Sequence, residues 1–402
     1  GLSNNSLGRV QTPVLAAISR RYRERENHIS SDSWPIYISL QKDGILFKMR
    51  RTQDLPDKES ATMFFQDCKL SHQAQITGIS HSVKEILPPD LLDLTQLQKE
   101  ANIRYGYTAS EVYDIAQSLY EKKLISYPRT SSRYLTEDVF DSLPPIMARL
   151  LSWELFPAAK GTGGIDISNL SRHVISAEKA NVHHAIIITG IRPGNLSEKE
   201  MQVYRLVAGR MLETFMAPCR IETTNVEAVC AAQHFKAEQT RIIEAGWHDV
   251  FMRSDMVPKS GYSVNELPEV EKGDNLNVCG CNMVHKKELP VDPFTDAELV
   301  EYMELNGLGT VSSRTNIIRT LVNRKYIRYS GKYIVPTPKG MFTYETIRGK
   351  KIADTSLTAD WEKQLTGLES GMITGQDFLN RIRTLAKEMT DDIFNTYSTK
   401  EE

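Results

Sequence analysis

Three scarcities in this sequence exclude whole classes of protein. Cysteine occurs only five times, an odd number at scattered positions, which argues against a disulfide framework and favours a reducing compartment, by default the cytoplasm. No stretch approaches the ~18 consecutive apolar residues of a membrane-spanning helix, which excludes a membrane role. Net charge is nearly absent, with 49 basic residues against 51 acidic ones. Binding to nucleic acid therefore requires a basic surface that is local.

Metal-ligand clusters are scarce as well. Cys279 and Cys281 form a C-G-C pair with His285 nearby, but a second ligand pair is lacking and the spacing differs from that of structural zinc sites. Thiols on a pair of strands explain the pattern better, so we assign no metal.

The chain has an ordinary globular composition over 402 residues, which is long enough for two to three domains.

Helical and β patterns alternate along the chain. Residues 7–26 predict a helix, and residues 34–51 predict a hairpin around a K-D-G turn. Residues 87–217 have the pattern of helices and loops, and β-rich patterning resumes over 221–278. We therefore expect a helical domain inserted into a β domain. After Pro290 the pattern becomes helical again.

Capping residues predict where several helices begin: at Thr95, at Thr108 or Ser110, at Thr295, and at Ser312 or Ser313. The second helix has one apolar stripe, made by Val112, Ile115, Ala116 and Leu119. The last of these helices is followed by a short hairpin with Ser330-Gly331 at its tip. Helix and hairpin in this order resemble a winged-helix unit.

Basic side chains collect in two stretches that contain no Asp or Glu. One is residues 305–344, with seven basic residues: Arg314, Arg319, Arg324, Lys325, Arg328, Lys332 and Lys339. Such a local field suits a phosphate backbone, although a solvated basic face is an equally good explanation of charge alone. The segment G-L-G-T-V-S-S-R-T adds glycines and the hydroxyls of Thr310, Ser312 and Ser313 beside a helix start, which is a natural phosphate site.

The second basic stretch, residues 122–135, contains Tyr127 between Lys122, Lys123, Arg129 and Arg133. Because Pro128 follows it, Tyr127 is held extended and presented from a stiff turn. A tyrosine here is usually a packed aromatic; among four cations it is also placed to attack a phosphodiester. A third segment, N-V-H-H-A-I-I-I-T-G at 181–190, offers paired histidines for a hydrogen bond or a proton, and is a weak signal alone.

Four segments together resemble a known family, the type IA DNA topoisomerases, and within it the topoisomerase III branch. S-L-G-R-V-Q-T-P-V-L (6–15), L-I-S-Y-P-R-T-S-S-R-Y-L (124–135), V-H-H-A-I-I-I-T-G (182–190) and G-L-G-T-V-S-S-R-T-N-I-I (307–318) match family motifs and occur in the family's order. Two positions depart from the family pattern: Ser131 replaces the usual Asp, and Ile188 replaces the usual proline.

The resemblance implies roles for particular residues. Tyr127 would be the nucleophile that becomes linked to a 5′ phosphate of single-stranded DNA, Arg129 would steady that phosphate, and His183 would assist cleavage. Single-stranded DNA would be contacted by Arg9, Gln11, Thr130, Thr310 and Arg314. Cleavage, strand passage and religation would proceed without ATP. Mg²⁺ would be needed by the full-length enzyme and bound by acidic residues of a Toprim domain, and none is expected on this chain.

The fold implied by the resemblance is an α+β multidomain toroid that lacks its Toprim domain. Residues 1–34 and 288–402 would form a helical base domain with a winged-helix-like part, residues 35–86 and 218–287 a two-part β arch, and residues 87–217 a helical domain carrying Tyr127. Hinges are hypothesised near Pro88 and Cys219. The chain is expected to be a monomeric fragment whose partners are single-stranded DNA and its own Toprim domain, able to bind DNA but inactive in relaxation.

Two other functions compete with this one. A tyrosine recombinase also forms a phosphotyrosine, but its tyrosine follows the histidines, whereas Tyr127 precedes His183. A non-catalytic DNA-binding module would use residues 295–344 as a winged helix and leave Tyr127 as a packed side chain. A complex with DNA that survives denaturant separates an enzyme from such a module.

Overall fold

The structure is a computed structural model that describes residues 7–153, 155–156, 165–180, 182–251, 259–369 and 372–398. Ser6 of the first motif and Asn181 of the histidine motif lie outside the described residues. In the described part of the chain, no helix combines the length and apolar composition needed to cross a membrane.

The secondary structure alternates as the sequence patterns predict. In chain order, the helices are α1 (Gln11–Glu26), α2 (Lys58–Leu70), α3 (Leu94–Tyr105), α4 (Ala109–Glu121), α5 (Glu137–Asp141), α6 (Leu143–Ser152), α7 (Glu198–Phe215), α8 (Asp296–Leu305), α9 (Val311–Asn323), α10 (Pro338–Ile347), α11 (Thr355–Glu369) and α12 (Gly375–Ser398). The strands are β1 (Asp32–Ser33), β2 (Ile36–Lys42), β3 (Ile45–Arg51), β4 (Gln73–Ile86), β5 (Cys219–Cys230), β6 (Gln233–Glu244), β7 (Asn275–Met283), β8 (Lys286–Lys287), β9 (Ile327–Ser330) and β10 (Tyr333–Pro336).

Six strands from two distant parts of the chain close into one antiparallel barrel, in the order β2-β3-β6-β5-β4-β7. The K-D-G turn is confirmed, because Asp43 and Gly44 both have positive φ and join Lys42 to Ile45 in the two-residue turn that such a pair favours. Alternate residues of β2 point inward, so Ile36, Ile38 and Leu40 are fully buried. Helix α2, which sequence patterning did not predict, packs against β7.

Helices α3 to α7 surround a second apolar core, to which the tyrosine and histidine segments both contribute. The predicted stripe of α4 is confirmed, since Val112, Ala116 and Leu119 are completely buried. Helix α4 begins at Thr108 with a capping box to Glu111. β4 and β5, which lead into and out of this helical layer, end side by side at the paired residues Ile86 and Cys219.

A third core joins α1 to α8, α9 and the hairpin of β9 and β10. Thr295 caps α8 as predicted, by accepting a hydrogen bond from the backbone N–H of Glu298. The turn of the hairpin is formed by Gly331 and Lys332, one residue later than predicted, because Ser330 pairs with Tyr333. These elements match the predicted winged-helix-like order. The division of the chain into three domains stays a prediction.

Three helix starts differ from their sequence predictions. Helix α3 is capped by Asp93 rather than Thr95, since the Asp93 carboxylate accepts from the N–H of Gln96 at 2.7 Å. Helix α9 begins after Thr310, upstream of Ser312, and the backbone N–H of Thr310 donates to Ser313 Oγ. Helix α1 begins at Gln11 rather than at residue 7.

A polar seam joins α3 and α4 to α8, α9 and β9. Gln98 donates to the carbonyl of Ala109 and to Thr315 Oγ1, both at 2.9 Å. Asp296, which is 2% exposed, accepts from the backbone N–H of Ala109 and from the Tyr329 hydroxyl, each at 3.1 Å. Burial raises the pKa of the Asp296 carboxyl to about 6. The seam therefore holds a carboxylate that is costly to ionise.

Replacing Asp296 with Asn is expected to stabilise the protein at pH 8 and not at pH 4. The folded-state pKa of Asp296, about 6, exceeds the ordinary aspartate pKa of 3.8, so its stability contribution is full below pH ~4 and is lost as pH rises through ~6. An amide keeps both hydrogen bonds without the charge, which should add up to about 3 kcal/mol to the free energy of unfolding at pH 8.

Urea unfolding of the two proteins at pH 4 and pH 8 measures this difference. Asp57 is the control, because its pKa is lowered by hydrogen bonds from Ser60 at the start of α2. Asp57→Asn should therefore destabilise at pH 8, with the opposite sign. An Asp296→Asn effect that is the same at both pH values contradicts the prediction.

Candidate active site

The tyrosine segment and the histidine segment lie side by side in the helical layer. An isolated β-bridge joins Ile125 to Ile188. The backbone N–H of Ser126 donates to the carbonyl of Ile187 at 2.8 Å, and the Ser126 hydroxyl accepts from the N–H of Ile187 at 2.9 Å. Residues that are about 60 positions apart in the chain are therefore fixed next to each other, as the combined motifs require.

Tyr127 emerges beside His183 at the end of this pairing. The two ring centroids are 4.5 Å apart, with an interplanar angle of 47°. Thr130 Oγ1 donates to the carbonyl of His183 at 3.0 Å, which ties the histidine to the turn that follows Tyr127. Tyr127 is half-buried and His183 is exposed, so both side chains are accessible from solvent.

Arg129 is held by helix α4. Its guanidinium lies 5.2 Å from the centroid of the Tyr113 ring and donates to Gln117 Oε1 at 3.2 Å. Its Nε is buried and has no hydrogen-bond partner among the described residues. A buried donor on a cation beside Tyr127 is suited to an anionic oxygen of the substrate.

One face of α4 supports this group, which the sequence analysis did not predict. Tyr113 and Gln117 hold Arg129, and the ring of Tyr120 contacts Tyr127 edge-on at 5.4 Å between centroids. These three residues follow the i, i+4, i+7 spacing of one helix face. That spacing is a usable signal, because these three residues form a polar and aromatic face about 100° around the helix from the apolar stripe.

The basic stretch around Tyr127 is less positive than its sequence indicates. Glu200 pairs with Lys122 at 2.5 Å, and this contact is the main cause that lowers the pKa of the Glu200 carboxyl to about 2. Asp93 pairs with Arg133 at 2.6 Å, although burial raises the Asp93 pKa. Two of the four cations are therefore neutralised by acids from outside the stretch.

The predicted DNA-contacting residues of the other motifs have individual environments. Gln11 accepts from Arg324 at 2.9 Å, the Arg9 guanidinium lies 5.5 Å from the centroid of Trp361, and Thr310 is exposed at the start of α9. Their contacts with DNA stay predictions.

Arg314 differs from these three because it is 8% exposed. It donates to Thr95 Oγ1 at 3.0 Å and to Glu304 Oε1 at 3.1 Å. Thr95, the residue expected to cap α3, instead links α3 to this arginine. Arg314 therefore has an internal role in the seam, and its contact with DNA also stays a prediction.

Over the described ranges, no group of three or more His, Cys, Asp and Glu side chains is arranged to hold a metal ion. All five cysteines are free thiols; on β7, Cys279 is exposed and Cys281 is partly buried.

Comparisons with known proteins converge on one family. Residues 2–380 match the sequence model of a family described as DNA topoisomerase. The chain is 30% identical to DNA topoisomerase 3 of Bacillus licheniformis over 413 residues, covering 96% of this chain and 56% of that protein. It is also 30% identical to DNA topoisomerase 1 of Methanocaldococcus jannaschii over 399 residues, covering 99% of this chain and 50% of the other.

A solved structure supports the fold. Full-length topoisomerase I from Thermotoga maritima superposes with a TM-score of 0.74 at 24% identity, over 96% of this chain and 63% of that one. The predicted α+β toroid is confirmed at the level of the fold. The chain spans about half the length of the curated relatives it matches.

Proposed function

Because the chain belongs to the type IA DNA topoisomerases, in their topoisomerase III branch, we propose that it supplies the cleavage tyrosine and DNA-binding surfaces of such an enzyme. The observation that carries the proposal is the contact of the Tyr127 ring with His183 beside the restrained Arg129. The substrate is single-stranded DNA, and the reaction cleaves one strand, passes another through the gap and reseals the first.

The cleavage step is a transesterification. The Tyr127 oxygen attacks a backbone phosphorus, a tyrosyl O–P bond forms at the 5′ phosphate, and the bond from phosphorus to the 3′ oxygen breaks. The phenol proton is released and the departing 3′ oxygen acquires one, so the net products are a phosphotyrosine and a 3′ hydroxyl. His183, whose ring lies 4.5 Å from the Tyr127 ring between centroids, would assist by exchanging a proton during cleavage. No nucleotide cofactor is needed, because the phosphodiester energy is kept for religation.

Arg129 and Thr130 position the reacting groups. Arg129 would steady the phosphate with its guanidinium, which Gln117 and Tyr113 hold against α4. Thr130 keeps the histidine segment against the tyrosine turn, and its contact with DNA stays part of the proposal. Mg²⁺ would stabilise charge on the phosphate, held by acidic residues of the longer protein.

Strand passage requires the helical layer to move relative to the barrel. We place the hinge near Pro88 and Cys219, where the chain crosses between them twice. The pairing of Ile86 with Cys219 brings the two crossings together, so one rotation can occur about both. Crystal forms that superpose with no rotation at these points would contradict this hinge.

We further propose that the protein is a monomer, located in the cytoplasm and associated with DNA.

The 402-residue chain alone is expected to bind single-stranded DNA weakly and without relaxing supercoiled plasmid. Binding should weaken as salt rises, because phosphate contacts release counterions. Relaxation should be absent with Mg²⁺, because the matched relatives are about twice as long and the expected acidic ligands are not among the described residues.

Fluorescence anisotropy with a labelled oligo(dT) and a plasmid relaxation assay measure the two halves of this prediction. Double-stranded DNA of the same length is the binding control. Relaxation of plasmid by this chain alone would overturn the second half. No binding to oligo(dT) at low salt would overturn the first, and would favour neither an enzyme nor a winged-helix DNA-binding module.

A further inference from the structure

The two cysteines of β7 have different surroundings because a bulge separates them. The register of β7 against β2 shifts between Val278 and Gly280, which leaves Cys279 as an extra residue without a partner on β2. After this bulge, Cys281 pairs with Ile38, whose side chain is completely buried. Paired residues point to the same face of a sheet, so Cys281 packs against the barrel core, whereas Cys279 is exposed.

Helix α2 brings another thiol to Cys281. Ala61 and Cys68 are seven residues apart on one face of α2, and both side chains are completely buried. The Cys281 thiol lies 3.9 Å from the carbonyl of Phe65, one helical turn before Cys68. The face of α2 that packs on the barrel therefore places Cys68 beside Cys281.

Cys68 is the middle member of a cluster of three thiols. Its side chain hydrogen-bonds with that of Cys281 and with that of Cys230, which ends β5 and is 1% exposed. All three are free thiols. Since no group of ligating side chains in the described ranges is arranged to hold a metal ion, this cluster is suited to thiol–disulfide chemistry.

The hydrogen bonds give the three thiols different acidities. The hydrogen bond with Cys68 lowers the pKa of Cys281, although burial acts against it. The pKa of Cys68 is lowered by its hydrogen bond with Cys230, but the hydrogen bond with Cys281 and burial outweigh this and raise it to about 12. The hydrogen bond with Cys68 and burial raise the pKa of Cys230 as well. Cys281 is therefore both the least buried of the three and the one that ionises most readily.

We propose that Cys281 and Cys68 form a reversible disulfide when the protein meets a peroxide, with Cys281 as the reacting thiol and Cys68 as the resolving thiol. Two hydrogen-bonded thiols reach bonding distance by rotation of their side chains. The proposal concerns the barrel and is independent of DNA cleavage at Tyr127. It assigns a role to the second cysteine of the C-G-C pair, which the candidate active site does not use.

The oxidation takes two balanced steps. The Cys281 thiolate attacks one oxygen of hydrogen peroxide, the O–O bond breaks and hydroxide leaves, so that the sulfur becomes a sulfenic acid. The Cys68 sulfur then attacks the sulfenic sulfur, an S–S bond forms, the S–O bond breaks, and the Cys68 proton leaves with the hydroxyl group as water. The peroxide is reduced and the two thiols are oxidised. An added dithiol reverses the change by exchange.

The disulfide closes a loop that contains about half of the chain, because β4, the helical layer, β5 and β6 all lie between Cys68 and Cys281. A cross-link over such a loop restricts the unfolded chain more than the folded one. The oxidised protein should therefore unfold at a higher temperature than the reduced protein. The cross-link also fixes α2 to β7.

The test treats the reduced 402-residue chain with hydrogen peroxide, blocks the remaining thiols with iodoacetamide and identifies cross-linked peptides by mass spectrometry without reduction. The expected product is a peptide pair joined through Cys68 and Cys281, which dithiothreitol separates. The oxidised chain should also migrate faster on a denaturing gel without reductant, because the closed loop makes the unfolded chain more compact.

Three variants make the result specific. Cys281→Ser should reduce the cross-link to background. Cys279→Ser is the matched control, because it removes an exposed thiol two residues away on the same strand, and it should form as much cross-link as wild type. Cys68→Ala should leave Cys281 as a sulfenic acid that dimedone traps. Thermal unfolding confirms that each variant is folded.

Absence of the Cys68–Cys281 cross-link in folded wild-type protein, under conditions that oxidise the exposed Cys279, overturns the inference. A cross-link between Cys68 and Cys230 in its place overturns the assignment of Cys281 as the reacting thiol. Equal cross-linking in protein unfolded with urea shows random pairing of thiols and also overturns the proposal.

Discussion

Tyr127→Phe in the full-length parent protein is expected to abolish the covalent DNA adduct and leave the fold intact. The change removes only the phenol oxygen, which is the atom proposed to bond to phosphorus. The contacts of the ring with His183 and Tyr120 are unaffected, and the hydroxyl makes no hydrogen bond within the described residues. Adduct formation should therefore fall to background while thermal unfolding is unchanged.

Tyr120→Phe is the matched control, because Tyr120 is the adjacent tyrosine, contacts the same ring and loses the same atom. It should retain the adduct. A labelled oligonucleotide incubated with each protein and analysed on a denaturing gel measures the linkage. An adduct formed by Tyr127→Phe would remove Tyr127 from the mechanism, and loss in Tyr120→Phe alone would transfer the role to Tyr120.

Local features of the fold were predictable because their causes are local. The Asp43-Gly44 turn follows from the two residues that accept positive φ. The buried stripe of α4 follows from helical spacing, and the α8 cap from Thr295. The α3 cap is Asp93, not the predicted Thr95 two residues later, and Asp is the stronger capping type of the two. Sequence alone cannot choose between neighbouring caps when the packing of the preceding residues decides.

The electrostatics of the candidate site were not predictable in the same way. Counting charges along residues 122–135 gave four cations, but Lys122 is paired with Glu200, 78 residues away, and Arg133 with Asp93, 40 residues away. Arg314 likewise pairs with Glu304, which lies just outside the acid-free stretch 305–344. The absence of acids from a stretch describes its neighbours in the sequence. The electrostatic field at a site depends on the charges that are close in space. Motifs named the candidate residues, and only the fold showed that two of the four cations are paired with distant acids.

Arg210→Ala is expected to destabilise the helical layer by about 3–5 kcal/mol, the usual cost of breaking a buried ion pair by removing one partner. Arg210 is 6% exposed on α7, where its Nε donates to Glu213 at 2.9 Å. It also donates to Glu100 on α3 at 2.7 Å and to the carbonyl of Asp90 at 3.1 Å. One guanidinium therefore joins α7, α3 and the chain crossing near the proposed hinge.

The cost should come mainly from Glu213, whose side chain is completely buried and would lose the guanidinium that faces it. Glu100 still has Arg104 at 3.3 Å. If this is correct, Arg210→Met combined with Glu213→Gln should recover much of the loss, because no charge is then left buried.

Arg220→Ala is the surface control. Both side chains of the Arg220–Glu244 pair are well exposed, so removing Arg220 should cost at most about 1 kcal/mol. Urea unfolding monitors all three proteins, and an Arg210→Ala effect no larger than that of Arg220→Ala would show that this network does not hold the helical layer together.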